Sequence, residues 1–220
     1  MRSQHVDYYN HDNLASDYDQ DVKRTDDPIR DGYDGVLDWV VTAAGIDETT
    51  SVLELGSGTG NLTQRIKSCA RIICVDISTK MEEQGKDKVA HLTNREFAVS
   101  DVLENIAGSD ETCDVIVSTY TLHHLTEEEK MPFLEAVRDR LKPGGRFVVG
   151  DLMTKSVEDE QATIAFYREQ GDENTAGDIE EEFFWYVDSA TEKLTSLKLE
   201  VETARFSRLS WCIKASKLAC

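Results

Sequence analysis

No stretch of this chain is apolar for the roughly 18 to 20 residues that a helical bilayer crossing needs. A membrane-spanning helix is therefore excluded. The opening "MRSQHVDYYNHDNLASDYDQDVKRTDD" has no apolar h-region, so a secretory leader is not expected and the cytoplasm is the expected compartment. The five cysteines form an odd set and none stands in a C-x-x-C pair, which argues against a zinc framework or a disulfide scaffold; no metal is expected. Cys74, Cys113 and Cys212 read as small apolar residues in or near strands, and Cys220 as an exposed end. Prolines are only three, and neither a long linker nor an internal repeat breaks the chain, so residues 1–220 read as one domain. Basic charge is scarce too: 24 Lys and Arg stand against 43 Asp and Glu, a formal net charge of −19. With no Lys/Arg-rich run, a nucleic-acid partner is disfavoured. The acidic excess fits a solubilising surface, and a salt-adapted habitat would fit it equally.

What is present is alternation. From residue 51 on, β-branched apolar runs alternate with helical patterns: "SVLELG", "RIICVDIS", a short run around Phe97 to Val99, "CDVIVSTYT" and "GRFVVGDLM" as strands. Between them, "GNLTQRIKSCA", "TKMEEQGKDKVAHL" and "EEEKMPFLEAVRDRLK" read as helices, the second with Met81, Val89 and Leu92 on its apolar side. That pattern predicts an α/β fold with a mostly parallel sheet covered on both faces. The ending "SLKLEVETARFSRLSWCIKASK" reads as two strands with a link too short to join parallel neighbours, so a terminal hairpin over 197–216 and an antiparallel last strand are expected. Residues 1–45 read as a cap segment and a helix, 50–152 as a ligand-binding core, and 156–188 as a helical insertion that lines the pocket. In that insertion a Gly-and-acid loop follows the first helix. The cluster Phe183 to Tyr186 suits core packing or a pocket wall.

"LELGSGTGN" is the stretch most loaded with chemistry. Glycine is costly to order, and three alternate glycines at the end of a strand predict a backbone that something approaches closely. Ligands of parallel sheets lie beyond the carboxyl ends of the strands, so Gly56 and Gly58 are candidate ligand contacts, with Gly60 letting the next helix pack on the sheet. Asp76 ends the second strand 20 residues past Gly56, the spacing at which a carboxylate takes ribose hydroxyls; the weaker alternative is that it merely caps a helix or turn. The G-x-G-x-G spacing differs from the nicotinamide G-x-G-x-x-G. Glu54, two residues before Gly56, would repel a pyrophosphate and suit a cationic ligand such as a sulfonium with an ammonium group.

The ordered stretches "VLELGSGTGNLT", "VDIS", "SDVLE", "DVIVSTYTLHHL" and "LKPGGRFVVGDL" resemble the motifs of class I S-adenosylmethionine-dependent methyltransferases over about residues 50–152. "IVSTYTLHHLTEEEK", "YDQDV" and "WCIKASK" are most similar to the YrrT-type branch of small-molecule enzymes. The resemblance implies a Rossmann-like seven-stranded sheet with an antiparallel last strand. It also implies S-adenosylmethionine as cofactor, with S-adenosylhomocysteine as product, and a small-molecule methyl acceptor. Gly56 would then line the methionine end of the cofactor, Asp76 would hold the ribose, Asp101 would lie beside the adenine amino group and Val102 would pack on the ring. A monomer or homodimer is expected. Methyl transfer needs alignment more than acid–base groups, so the absence of a triad is no obstacle.

The loop "STYTLHHL" after the fourth strand opens onto the same end of the sheet, with Ser118, Tyr120, His123 and His124 as its polar candidates. Adjacent residues at a helix start point about 100° apart, so one histidine is expected to face the pocket, and His123 is the candidate base. Alternatively one histidine bonds the backbone and the other is exposed. Tyr18 is a candidate lid residue or an ordinary packed tyrosine. An S-adenosylmethionine-binding regulator without chemistry is the alternative function.

Overall fold

The computed structural model describes residues 2–6, 12 and 15–219. In chain order the elements are α1 (Ala15–Asp21), α2 (Tyr33–Ala44), β1 (Ser51–Leu55), β2 (Arg71–Asp76), α3 (Thr79–Lys88), β3 (Arg95–Val99), α4 (Val102–Ala107), β4 (Cys113–Thr119) and α5 (Glu127–Arg140). They continue with β5 (Leu141–Thr154), α6 (Val157–Glu169), α7 (Glu173–Glu181), β6 (Trp185–Tyr186), α8 (Val187–Ser196), β7 (Leu199–Arg205) and β8 (Ser210–Lys217). The sheet runs β3-β2-β1-β4-β5-β8-β7, with the two-residue β6 paired to the end of β5. From β3 to β5 all pairings are parallel, and β8 is antiparallel to both β5 and β7. The mostly parallel sheet and the terminal hairpin are as expected. The last strand in the chain lies inside the sheet and not at its edge.

Strand period sets the core. Val52, Ile72, Cys74, Val115, Val117 and Val148 point to one face and pack with Val36, Leu37 and Val40 of α2. Their neighbours Leu53, Leu55, Val75, Ile116, Phe147 and Val149 point to the other and meet Phe133, Leu134 and Val137 of α5. Two-residue alternation thus feeds two helical layers from one sheet. Among the described cysteines, Cys74, Cys113 and Cys212 are buried, Cys69 is half-buried and all four are free; Cys220 lies outside the described residues.

Three local expectations need correction. "GNLTQRIKSCA" forms only a 3-10 turn at Thr63–Arg65, and the Thr63 hydroxyl donates to Glu54 beneath it. Gly60 therefore does not seat a helix after β1. A Cβ there would come 3.0 Å from Val89 Cγ1 and 3.6 Å from Gly85, so its bareness serves α3, the helix after β2. The Gly-and-acid loop of the insertion is α7: Asp172 caps it by accepting from Thr175 N at 3.1 Å, and Ala176 and Ile179 are buried. Among the described residues, no helix is long and apolar enough to cross a membrane.

Candidate active site

At the carboxyl ends of β1, β2 and β4 lies an open cavity. The glycine turn forms its floor. Gly56 and Ser57 both donate to Val75 O, at 2.8 and 2.9 Å, which folds the chain back over β2. Gly56 has φ +73°, and a Cβ there would lie 2.0 Å from Thr121 Oγ1. Gly58 has φ +51° and open space where a Cβ would stand, so a ligand can approach its backbone. Asp76, at the tip of β2, takes the N–H of Gly58 at 2.7 Å and of Ser78 at 2.8 Å. Burial raises its pKa, and those two bonds partly offset the rise. A carboxylate has about four acceptor positions, so room is left for two hydroxyls.

Asp101 and Val102 also line the cavity, at the start of α4. Asp101 is 2% exposed and caps α4 through Glu104 N at 3.0 Å. It also accepts from the backbone N–H of Ser3 at 3.0 Å and from the Ser3 hydroxyl. Gln4 N donates to Glu129 at 2.7 Å, and the His5 ring stacks on Phe183 with centroids 5.2 Å apart. The N-terminal strap thus crosses the cavity rim, a role for Ser3 that the sequence did not signal. On the adjoining side α1 is pinned to the glycine turn: Asp19 accepts from Thr59 and Asn61 and pairs with Lys88. Tyr18 lines the cavity, as do Tyr33 and Tyr120, whose rings stack at 5.0 Å. Tyr120 carries φ +48°, a strained value for a non-glycine residue.

Glu54 does not face the ligand. Strand alternation turns it to the α2 face with Val52, and it is 1% exposed and bonded to Thr63. Burial pushes its pKa up to about 8, so it is mostly neutral at pH 7. Among the described residues, the carboxylates that line the cavity are Asp76 and Asp101, and no Lys or Arg lines it. The preference for a cationic ligand therefore survives, carried by other residues.

The histidine expectation also changes. His124 is in the cavity wall and His123 is not. His123 is 6% exposed and turns inward, its Nδ1 2.5 Å from Asp151 Oδ1. Burial pushes the His123 pKa down, but the Asp151 charge and hydrogen bond outweigh it and the net shift is upward. Asp151 is held low by the same pairing against its burial, and it is anchored by the N–H groups of Leu122 and Leu152, each at 2.8 Å. His124 Nδ1 stands 3.1 Å from Glu182 Oε2, and burial followed by the His123 charge lowers its pKa to about 4. Ser118 is fully buried, its hydroxyl donating to Leu55 O at 2.7 Å. No residue of 156–188 lines the cavity. The insertion acts from behind: Trp185 Nε1 donates to Leu122 O at 2.7 Å and Phe183 N to His123 O at 3.1 Å. Asp151 and Glu182 were missed, although Asp151 sits near the end of "VVGDL" much as Asp76 ends "IICVD".

Comparison with known proteins gives a consistent picture. The methyltransferase-domain family matches residues 52–145. An uncharacterized methyltransferase of Anoxybacillus flavithermus is 31% identical over 210 residues, covering 94% of this chain and 95% of the relative. The uncharacterized methyltransferase YrrT of Bacillus subtilis is 30% identical over 207 residues, covering 92% and 94%. Among solved structures, the magnesium protoporphyrin IX methyltransferase of Synechocystis with bound SAH is similar with a TM-score of 0.72 at 17% identity, covering 96% of this chain and 97% of that one. The N-methyltransferase NodS of Bradyrhizobium japonicum has a TM-score of 0.64 at 16% identity, covering 89% and 99%. At those identities the two structures speak to the fold alone.

Proposed function

The chain belongs to the YrrT-type methyltransferases, and from that premise we propose that it moves a methyl group from S-adenosylmethionine to a small-molecule acceptor. The observation that carries this reading is the shape of the cavity. One side is a bare glycine turn flanked by carboxylates; the other is a wall of Tyr18, Tyr33, Tyr120, Thr121 and His124. The residues fit the donor: Gly58 leaves its backbone open, Asp76 keeps acceptor positions for a ribose, and the described lining residues carry negative charge and include no Lys or Arg. Gly56, Gly58 and Asp76 would hold the donor's methionine and ribose ends, and Val102 would pack on its base. Asp101, already bonded by Ser3 and Glu104, keeps about one acceptor position for an amino group.

When bound, S-adenosylmethionine supplies a methyl on a positively charged sulfur, which departs as a neutral thioether with the bonding pair while an acceptor lone pair forms the new bond. The protein's share is alignment, which can contribute about 7 to 11 kcal/mol. The tyrosine wall excludes water and holds the acceptor opposite the glycine turn. His124 is the imidazole on the acceptor side. A pKa near 4 keeps it neutral at pH 7, able to accept a hydrogen bond from the acceptor but poorly matched to general-base work, which favours a pKa near the working pH. His123 positions His124 and does not itself reach the cavity.

The test is calorimetry with S-adenosylhomocysteine, followed by incubation of a small-metabolite pool with isotope-labelled donor and mass spectrometry of the products. Binding together with a labelled small molecule supports the reading. Binding without product over the pool points to a regulator that senses the donor, and no binding overturns the assignment of the cavity.

A further inference from the structure

Two side chains that stand behind the acceptor wall, His123 and Glu182, converge with His124 on one point. The donor atoms of His123, His124 and Glu182 all lie within 4.8 Å of one another. We propose that these three residues bind a divalent cation of the zinc type.

Four observations support it. First, one pair of donor atoms already stands at the spacing a small ion needs. Ligands about 2.0 to 2.1 Å from a tetrahedral zinc stand roughly 3.3 Å from each other, and His124 Nδ1 and Glu182 Oε2 are 3.1 Å apart. The cation can take the place of the proton those atoms now share. Second, the orienting partner of a metal-bound histidine is already in place. Asp151 holds His123 by Nδ1, which leaves Nε2 as the ligand nitrogen, and carboxylate–histidine pairs of this kind fix ring orientation in metal sites. Asp151 itself cannot swing, because Leu122 N and Leu152 N both donate to it. Third, the ligands sit on braced backbone. Trp185 and Phe183 bond to the carbonyls of Leu122 and His123, and β6 pairs Trp185 with Met153, so Glu182 is held three residues from a strand. Fourth, two histidines and one carboxylate leave a fourth position, as in hydrolytic zinc sites. Of the three, only His124 also lines the cavity.

A cation there would fix the His124 ring that lines the cavity and meets the acceptor. That role rests on the methyl-transfer reading; the binding of the ion does not.

The experiment uses the full chain stripped of metal by chelation. Cobalt(II) is titrated while its visible absorption is followed, and Zn²⁺ is titrated by calorimetry. The expected result is one equivalent with an intense tetrahedral cobalt band. His124→Ala and Glu182→Gln should each weaken binding at least tenfold, and Asp151→Asn by about 10- to 100-fold. Affinity for S-adenosylhomocysteine, measured on each variant, reports whether the glycine-turn half is intact. Should Asp151→Asn fail to fold, Glu182→Gln carries the test. Absence of a tetrahedral band, or equal cobalt affinity in wild type and Glu182→Gln, overturns the proposal. Metal binding in a wild-type protein that ignores S-adenosylhomocysteine would overturn the methyl-transfer reading and leave the cation site standing.

Discussion

The two rims of the cavity are built by different means. The rim at β1 and β2 is made of backbone: a glycine turn, two N–H groups aimed at one carboxylate, and positive φ angles at Gly56, Gly58 and Gly60. The rim at β4 and β5 is made of side chains brought from afar. His123 meets Asp151 across 28 residues, His124 meets Glu182 across 58, and Trp185 reaches Leu122 across 63. A backbone rim can present the same surface whatever the neighbouring side chains are, which suits a donor of fixed shape. A side-chain rim changes with each substitution, which suits an acceptor that differs between enzymes of one fold.

The sharpest way to break this contrast is at the one point where the rims touch. In Gly56→Ala the new methyl would collide with Thr121, and the left-handed backbone adds strain. Together these cost about 3 kcal/mol or more, so thermal stability should fall and S-adenosylhomocysteine affinity should drop on the order of a hundredfold. Calorimetry showing unchanged affinity would mean the turn does not hold the donor. Glu54→Gln comes next and concerns stability. Burial raises the folded pKa of Glu54 from an ordinary 4.5 to about 8. Its contribution is therefore fully present below pH 4.5 and is lost as pH rises through 8. Melting curves should show wild type weakening toward pH 9 by on the order of a few kcal/mol, while Glu54→Gln weakens less. Parallel curves for the two proteins would contradict the buried, neutral carboxyl.

Asp76→Asn sharpens the backbone side. It removes charge-assisted bonds to the expected hydroxyls, so donor affinity should fall about tenfold to a hundredfold with turnover at saturating donor much less changed. The smallest effect tests the side-chain side. Trp185→Phe deletes one buried bond to Leu122 O, a loss of about 1 to 3 kcal/mol in stability. It should slow acceptor turnover while leaving S-adenosylhomocysteine affinity within error, and a parallel loss of both would show the rims to be one coupled unit.

How much of this was legible follows the same division. The glycine turn and Asp76 were legible from strand ends and spacing, Asp101 and Val102 only through the family resemblance, and all of them but Gly60 line the cavity. The parallel sheet followed from β-branched runs and the hairpin from a link too short for anything else. The second rim was read only as a loop with polar candidates, and the wrong one of two adjacent histidines was preferred. Periodicity says that His123 and His124 diverge but not which one meets a carboxylate. That choice belongs to Asp151, on a strand brought alongside by the sheet. Glu54 was misread for a related reason: its position beside the turn was visible, but the α2 layer that buries it was not.

The sequence by itself determined where the backbone bends, which faces of the strands are apolar and which acid ends each strand. Those properties depend on a residue and its nearest neighbours along the chain. Only the tertiary structure decided that Glu54 is buried, that His124 faces the cavity, that Ser3 occupies Asp101 and that Glu182 meets His124. Each of these depends on burial or on a partner far away in the chain, and both exist only once the sheet has assembled and its helices have closed over it.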